Sequence, residues 1–233
     1  MKKLMIVAAA ALCATAFADI ESANTVGYVE TPVQGFKMIT PSFKNITGED
    51  YPLDNFIVKG ADDAMASVQV LDANGQVVGD YYWFNAFDEY PAGWFDMSGA
   101  ESAGISLKPG EAVLFYTKQE GVSVLSAGEV PGAITHGIAG FSMFGNGSPV
   151  EIDVDTMTVQ GADDAMTSIQ VLDGNGQVVG DYYWFNAFEE YPAGWFDMSG
   201  AESAGISLAP GEAVLFYTKQ SGVSATVPAA IAE

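Results

Sequence analysis

Aromatic residues that stand beside carboxylates are the feature of this chain best suited to chemistry. The passage DYYWFNAFDEYPAGWFDMSGA, residues 80–100, recurs with one change as DYYWFNAFEEYPAGWFDMSGA, residues 181–201. Exposed rings give sugars a stacking surface, and neighbouring carboxylates and amides bind their hydroxyls. The competing interpretation is that the YPAGW segment folds over the end of a sheet and closes its core. The candidate ligand-binding residues are Tyr82, Tyr90 and Trp94, with Tyr183, Tyr191 and Trp195 in the second copy.

The residue types that catalysis usually needs are scarce. The chain has one histidine, His136, outside the repeated passage, and we interpret it as a linker or surface residue. Because 30 acidic residues need no catalytic explanation, the sequence predicts a protein that is not an enzyme. The alternative is a glycan-active enzyme that uses a pair of carboxylates. The candidates for that pair are Asp80, Asp88, Glu89, Asp96 and Glu111.

The segment DANGQVVGD, residues 72–80, is the candidate metal site. D-x-N-G opens many calcium loops, but an EF-hand loop has glycine at position 6 and glutamate at position 12. Those positions hold Val77 and Trp83. A hairpin turn is therefore the preferred interpretation, with calcium as the alternative. We predict no other cofactor, because the sequence has no phosphate loop or dinucleotide fingerprint. Thiolate metal sites are also excluded, since the one cysteine, Cys13, precedes the mature chain described below.

The charge of the chain limits its partners. It has 8 Lys+Arg, all of them lysine, against 30 Asp+Glu, for a net charge of −22. Nucleic acid and anionic lipid are held mainly by basic side chains, so neither is expected as a partner. Other surface proteins or polysaccharides are the partners we expect, and self-association is a further alternative.

The N-terminus has the three parts of a signal peptide. Lys2 and Lys3 precede an apolar segment, residues 4–14, and Ala16-Phe17-Ala18 forms an A-x-A cleavage site. Residues 1–18 are therefore the predicted signal peptide, and the mature chain has no predicted membrane span. We expect export to the periplasm, cell surface or surroundings of a bacterium.

The mature chain contains an internal duplication. Residues 60–119 align without a gap with residues 161–220, and five of these 60 positions differ. Lys108/Ala209 is the one difference that is not conservative. The segment NTVGYVETPV, from Asn24, has no clear counterpart in the second copy. A period of 101 residues suits two whole domains, which we place at residues 19–130 and 131–233.

The sequence of each copy predicts short strands joined by turns. Asn74-Gly75 predicts a two-residue type I′ hairpin. The residue numbers of each facing pair then add up to 149, so that Val68 faces Tyr81. The core face then carries Val68, Val70, Val77, Tyr81 and Trp83.

A second strong signal lies in KPGEAVLFYTK, which begins at Lys108. Pro109-Gly110 predicts a turn, and the apolar residues on both faces that follow predict a central strand. ADDAM, residues 61–65, suggests one helical turn. The predicted fold is all-β, with two tandem β-sandwich or barrel-like domains after the signal peptide. We expect the N-terminal strand to pair within its own unit, the alternative being that it completes the sheet of a neighbouring molecule.

The order of four sequence features resembles a group of secreted proteins. VGYVETPVQGFKMITPSF is followed by the hairpin, by GWFD and by LKPGEAVLFYTK. This order resembles uncharacterised secreted β-rich repeat proteins of Verrucomicrobia-type and Lentisphaerae-type bacteria, which share a G-Y-V opening and a late P-G-E segment. The resemblance implies secretion and β structure, and it assigns no functional residue.

These observations predict a secreted, non-enzymatic structural or adhesive protein of a surface layer or matrix. Two near-identical domains would give it two equivalent contact surfaces. The alternative is a pair of carbohydrate-binding modules that use the aromatic residues named above, with or without calcium.

Overall fold

The computed structural model of the protein describes residues 26–48, 50–89, 91–100, 104–190, 192–201 and 206–230. The predicted signal peptide lies outside these residues. Within them the chain forms strands and two short 3-10 turns, Leu53–Asn55 and Val154–Thr156, and no α-helix. No helix of this part of the chain has the length and apolar character to cross a membrane. The predicted all-β class is confirmed.

The described residues form sixteen strands, which are arranged in two similar units. The strands of the first unit are β1 (Val26–Ile39), β2 (Tyr51–Pro52), β3 (Ile57–Lys59), β4 (Ala66–Leu71), β5 (Val77–Phe84), β6 (Gly93–Phe95), β7 (Ser106–Leu107) and β8 (Val113–Glu129). The strands of the second unit are β9 (Ile134–Gly145), β10 (Ile152–Asp153), β11 (Thr158–Gln160), β12 (Thr167–Leu172), β13 (Val178–Phe185), β14 (Gly194–Phe196), β15 (Ser207–Leu208) and β16 (Ala213–Val227).

Each unit has one main antiparallel sheet and one small sheet. In the first unit the main sheet has the order β1-β8-β4-β5-β6, with β3 also beside β8, and β2 pairs with β7. The second unit repeats this plan, with β9 and β11 both beside β16. The units are therefore β-sandwich-like. Their predicted division near residue 130, between β8 and β9, stays a prediction about independent folding.

The ribbon formed by β1 and β8 turns a corner, so that β8 serves both layers of its unit. Thr117 pairs with Gly35 and Val122 pairs with Val33, so residues 118–121 oppose a single residue of β1. An insertion of this kind bends a strand and lets it pass from one sheet layer to another. Both halves of β8 contribute buried residues to the same core.

Side-chain hydrogen bonds hold this corner in place. Gln119 Nε2 donates to Asp62 Oδ2 at 2.7 Å, and the Asp62 backbone N–H donates to Gln119 Oε1 at 2.8 Å. Gly60 lies against the corner with φ +78°, where a Cβ would come within 2.6 Å of the Gly121 carbonyl oxygen. Glycine is therefore required there. The second unit has the same glutamine–aspartate pair.

Aromatic side chains fill the core of each unit. Trp83 and Trp94 pack edge to face with ring centroids 5.3 Å apart, and Trp94 packs in the same way on Phe115 at 5.9 Å. Such pairs contribute about 0.5–1.5 kcal/mol beyond their buried area. Trp83 and Val68 are buried and Tyr81 packs against them, so the predicted core face of the hairpin is correct at these positions.

The register of the β4–β5 hairpin is confirmed, but its turn is not the predicted one. Val68 pairs with Tyr81 and Val70 with Gly79, as a sum of 149 requires. The loop itself has three residues, because the Asp72 carboxylate accepts the backbone N–H groups of residues 74 and 76 at 2.8 and 2.9 Å. In this Asx turn only Gly75 has a positive φ. A type I′ turn needs positive φ at both central residues, so the connection is a three-residue loop instead.

A bulge next to this loop overturns one core assignment. Leu71 pairs with Val77, whereas the next pair is Val70 with Gly79, so Val78 is an extra, unpaired residue on β5. The predicted register holds from Gly79 onward and is shifted by one residue at Val77. Val77 consequently leaves the core and is 50 % exposed. The prediction that Val77 is a core residue is wrong, because a bulge reverses the side-chain alternation on one side of it.

Three other local predictions have mixed outcomes. The Pro109-Gly110 turn is confirmed by a hydrogen bond of 2.9 Å from the Glu111 backbone N–H to the Lys108 carbonyl oxygen. β8 is central, between β1 and β4. ADDAM does not form a helical turn, since Ala64 has φ +59° and the segment makes a tight turn before β4.

The N-terminal strand has a structural counterpart that the sequence does not reveal. β9 pairs with β16 as β1 pairs with β8, and Ile138 stands opposite Val223 as Val33 stands opposite Val122. The statement that this segment lacks a partner in the second copy is therefore wrong at the level of structure. β1 pairs within its own unit, as expected. Sheet pairing needs alternating burial and not sequence identity, which explains why the comparison of residues fails.

The two units pack against each other with approximate two-fold symmetry. The Phe36 backbone N–H donates to the Gly174 carbonyl oxygen at 2.8 Å, and the Phe141 N–H donates to that of Ala73 at 2.8 Å. Phe141 is the counterpart of Phe36, and Gly174 is the counterpart of Ala73. The same patch of each unit is thus used on both sides, as in an isologous dimer interface.

An apolar cluster lies behind these hydrogen bonds. A second exchanged pair runs from Thr40 N–H to the Gly211 carbonyl oxygen at 2.9 Å and from Gly145 N–H to that of Gly110 at 3.0 Å. Both units contribute side chains to the cluster, which holds them in one arrangement. Its members are Met38, Leu71, Ala112, Leu114, Met143, Leu172, Ala213 and Leu215.

Candidate functional site

A row of aromatic side chains crosses the outer face of each main sheet. In the first unit, strand pairing places Phe36 opposite Tyr116, and Ser67 between Tyr116 and Tyr82. Tyr82 is in turn opposite Phe95. Because side chains alternate along strands, this row faces away from the tryptophan core.

The Tyr82 end of the row forms a groove of about 610 Å³, and the second unit has a groove of about 610 Å³ at the equivalent place. We call these the aromatic grooves. The apolar wall of the first is formed by Tyr82, Phe84, Phe87, Pro91, Phe95 and Met97. The apolar wall of the second is formed by Tyr183, Phe185, Phe188, Pro192, Phe196 and Met198.

The groove walls expose large apolar side chains to solvent. Phe87 is 76 % exposed and Met97 is 83 % exposed, and the second copy has values of 69 % for Phe188 and 83 % for Met198. Scattered exposed apolar residues are ordinary, but a cluster that lines a groove marks an interaction site. The folded unit does not use these side chains for its own core.

Tyr82 is held by a carboxylate on its own strand. Its hydroxyl donates to Asp80 Oδ2 at 3.1 Å, and Tyr183 donates to Asp181 Oδ2 at 2.9 Å. This hydrogen bond and the negative charge of Asp80 raise the pKa of Tyr82. Asp80 Oδ1 is buried and has no hydrogen-bond partner among the described residues, so the carboxylate leaves negative charge beside the ring.

Asn85 joins the groove to the core. Its Oδ1 accepts the indole N–H of Trp83 at 3.3 Å, and its Nδ2 donates to the Ala61 carbonyl oxygen at 3.0 Å and to Asp63 Oδ1 at 2.9 Å. Asp63 Oδ1 also accepts the Asn85 backbone N–H at 2.8 Å. Both Nδ2 hydrogens of Asn85 are therefore used and its Oδ1 accepts one hydrogen bond, so the side chain is fixed and it holds the Asp63 carboxylate at the groove.

Asp96, which also lines the groove, organises a turn of the same kind as Asp72. Its Oδ1 accepts the Ser98 backbone N–H and hydroxyl at 2.8 and 2.7 Å, and the Ala100 N–H at 2.9 Å. The Ser98 hydroxyl and the Ala100 N–H hold the pKa of Asp96 below its usual range. At Asp72, the backbone N–H of Gln76 has the largest part in the same lowering of the pKa. These hydrogen bonds explain the D-x-N-G pattern without a cation, and calcium binding stays a prediction.

The structure corrects part of the predicted ligand-binding set. Trp94 and Trp195 are each 1 % exposed, so the expectation that they are free to stack on a ligand is wrong. Their strands are paired with β5 and β13, which turns the tryptophans inward and the neighbouring Phe95 and Phe196 outward. Tyr82 and Tyr183 do line the grooves. Tyr90 and Tyr191 lie outside the described residues.

The sequence prediction also misses most of the apolar wall. Phe84 and Phe95 pack edge to face at 5.8 Å and belong to the same sheet face as Tyr82. The alternation of side chains contains this signal, since Phe84 is two residues after Tyr82 and Phe95 follows the buried Trp94. Phe87 and Met97 lie in loops, where no such periodicity applies.

Of the carboxylate candidates for catalysis, Glu111 lies beside the histidine. His136 lies in β9 and not in a linker, its side chain is 13 % exposed, and its Nε2 is 3.7 Å from Glu111 Oε1 across the unit interface. Burial lowers the pKa of His136, and the negative charge of Glu111 opposes this effect only in part. The lowered pKa favours the neutral imidazole. The described residues contain no group of three or more His, Cys, Asp or Glu side chains arranged to hold a metal ion.

No protein-family model, curated protein or solved structure matches this chain.

Proposed function

We propose that this chain is an exported, non-enzymatic structural or adhesive protein of a bacterial surface layer or matrix, and that the two aromatic grooves are its contact surfaces. The supporting observation is that each groove exposes clustered phenylalanine and methionine side chains that its own unit leaves unused. Every residue that lines the first groove has an identical residue in the second.

Two identical contact surfaces in one chain favour attachment through avidity. When one groove is bound, the other is held near its partner at a high effective concentration, so the pair binds more strongly than either groove alone. The packed unit interface restricts the relative movement of the grooves, which reduces the entropy lost on the second binding event.

A pair of carbohydrate-binding modules is the second candidate function. The observation that favours it is the position of Tyr82 in a groove beside the carboxylates of Asp63 and Asp96. A tyrosine ring can stack on a sugar while carboxylates accept hydrogen bonds from its hydroxyls. Tyr183 has the same surroundings in the second groove.

Surface retention of a groove variant tests the proposed function. We expect the double variant Phe87→Ser/Phe188→Ser, expressed in the producing bacterium, to be lost from washed cells to the medium. Both side chains are mostly exposed, so folding should be preserved, and near-ultraviolet circular dichroism of the purified protein checks this. The matched control is Val78→Thr/Val179→Thr, since both valines are 65 % exposed and line neither groove. Equal retention of the two variants contradicts the proposal.

A further inference from the structure

We propose that the partner of each aromatic groove is a cationic apolar peptide segment, in which lysine or arginine side chains alternate with aliphatic or aromatic ones. This inference rests on the proposed function, because it identifies the partner of the same two grooves. It follows from the hydrogen-bonding groups that the grooves offer and from those that they lack.

Every side-chain donor that lines the first groove, within the described part of the chain, is already engaged. The Tyr82 hydroxyl donates to Asp80, and both Nδ2 hydrogens of Asn85 are used by Ala61 and Asp63. The second groove repeats these hydrogen bonds with Tyr183 and Asn186. The phenylalanine, proline and methionine side chains have no donor. A bound ligand therefore receives no side-chain hydrogen bond from these residues.

The acceptors, in contrast, are partly free. Asp63 and Asp96 each use Oδ1 to hold the local structure, and Oδ2 of each makes no hydrogen bond to the described residues. No lysine is among the described residues that line either groove. The whole chain carries a net charge of −22, so the surrounding field has the same sign.

This combination matches a cation carried on an apolar chain. An ammonium or guanidinium group forms charge-assisted hydrogen bonds with the free carboxylate oxygens and interacts with the faces of aromatic rings. Aliphatic and aromatic side chains of the same peptide bury the exposed faces of Phe87 and Met97. Methionine suits this role because its flexible side chain adapts to different apolar partners.

A polysaccharide fits the same grooves less well. Each sugar hydroxyl is both a donor and an acceptor, and the described residues of the groove, which have no free side-chain donor, leave the hydroxyl oxygens unpartnered. An anionic ligand is repelled by Asp63 and Asp96. The free acceptors and the lack of free side-chain donors among the described groove residues therefore favour a cationic peptide over both neutral and anionic glycans.

Calorimetric titration of the full chain tests this inference. The probe is a short synthetic peptide in which lysine alternates with leucine and phenylalanine, and the neutral comparison has glutamine at every lysine position. Cellohexaose and chitohexaose are titrated in parallel. We expect the lysine peptide to bind at least about tenfold more tightly than the glutamine peptide, and neither hexasaccharide to bind.

A charge-matched pair of variants shows whether the groove carboxylates are responsible. The groove variant Asp63→Asn/Asp96→Asn/Asp164→Asn/Asp197→Asn keeps each Oδ1 acceptor and replaces each Oδ2 by an amide group. The control Asp50→Asn/Asp54→Asn/Glu120→Gln/Glu151→Gln removes as much charge from exposed sites outside the grooves. We expect the groove variant to lose affinity for the lysine peptide by about tenfold and the control to lose much less.

Three results would overturn the inference: equal binding of the two peptides, equal effects of the two variants, or hexasaccharide binding that Phe87→Ser/Phe188→Ser abolishes. If one of these occurs while surface retention still depends on Phe87 and Phe188, the proposed function stands and only the partner is wrong. If retention does not depend on them, the proposed function itself fails.

Discussion

Single aspartates determine two turns in each unit, one at the unit interface and one at the aromatic groove. Asp72 and Asp96 each accept backbone N–H groups two and four residues later, and Asp173 and Asp197 do the same in the second unit. All four are ionised acceptors whose pKa is lowered by these hydrogen bonds. The aspartate-rich segments are thus explained by local structure, although their composition also suggests cation binding.

The stability of the protein should decrease in acid through these four residues. Because the pKa of each is lower in the folded state, their contribution is fully present above the unfolded value of about 3.9 and is lost as the pH falls through the lower folded values. Replacing all four by asparagine keeps the acceptor and removes the titration. We expect the thermal midpoint of this variant to change less between pH 6 and about pH 3 than that of the wild type.

The control for the acid experiment is the variant Asp50→Asn/Asp54→Asn/Glu120→Gln/Glu151→Gln, which removes the same number of negative charges elsewhere. General charge repulsion changes equally in both variants. A pH dependence that is reduced to the same extent in both would contradict a special role of the four turn aspartates.

At the level of elements, the sequence predicts those features that depend on neighbouring residues. The hairpin register, the Pro109-Gly110 turn and the central position of β8 follow from alternation and turn chemistry. The wrong predictions concern positions where a side-chain hydrogen bond, a bulge or strand pairing overrides the local sequence pattern. The Asp72 side chain changes the turn type, the bulge at Val78 moves Val77 outward, and pairing with β5 buries Trp94.

The unit interface could not be predicted because it depends on close backbone contacts of two glycines with distant segments of the chain. Gly35 has φ +70°, and a Cβ there would lie 2.0 Å from the Gly174 carbonyl oxygen. Gly140 has φ +59° and would meet the Ala73 carbonyl oxygen at 2.0 Å. Nothing in the local sequence distinguishes these glycines from ordinary turn glycines.

We expect Gly35→Ala to destabilise the protein by about 1–3 kcal/mol more than Gly48→Ala does, since a side chain would push the two backbones apart. Gly48 is the matched control because its φ is +78° and a Cβ there would meet no atom of the described residues within 4 Å. Both substitutions have the strain of positive φ, and only Gly35→Ala adds the clash. Chemical denaturation measures the difference, and equal free energies of unfolding would show that the interface tolerates the side chain.

At the scale of the whole molecule, the two copies are alike in their grooves and differ at their interface. Glu212 forms an ion pair of 2.6 Å with Lys37, whereas its counterpart Glu111 faces His136 at 3.7 Å. Lys108 corresponds to Ala209, the one non-conservative difference between the copies. Its positive charge adds to the lowering of the His136 pKa that burial causes. The duplication thus gives two equal grooves on a pair of units whose mutual contacts have diverged.

The number of peptides bound by one chain tests this description most directly. Titration calorimetry of the full chain with the lysine peptide should give about two binding sites per chain, and the single variant Phe87→Ser should give about one site of unchanged affinity. A wild-type value of one site, or two sites that remain in the Phe87→Ser variant, would contradict two equivalent grooves.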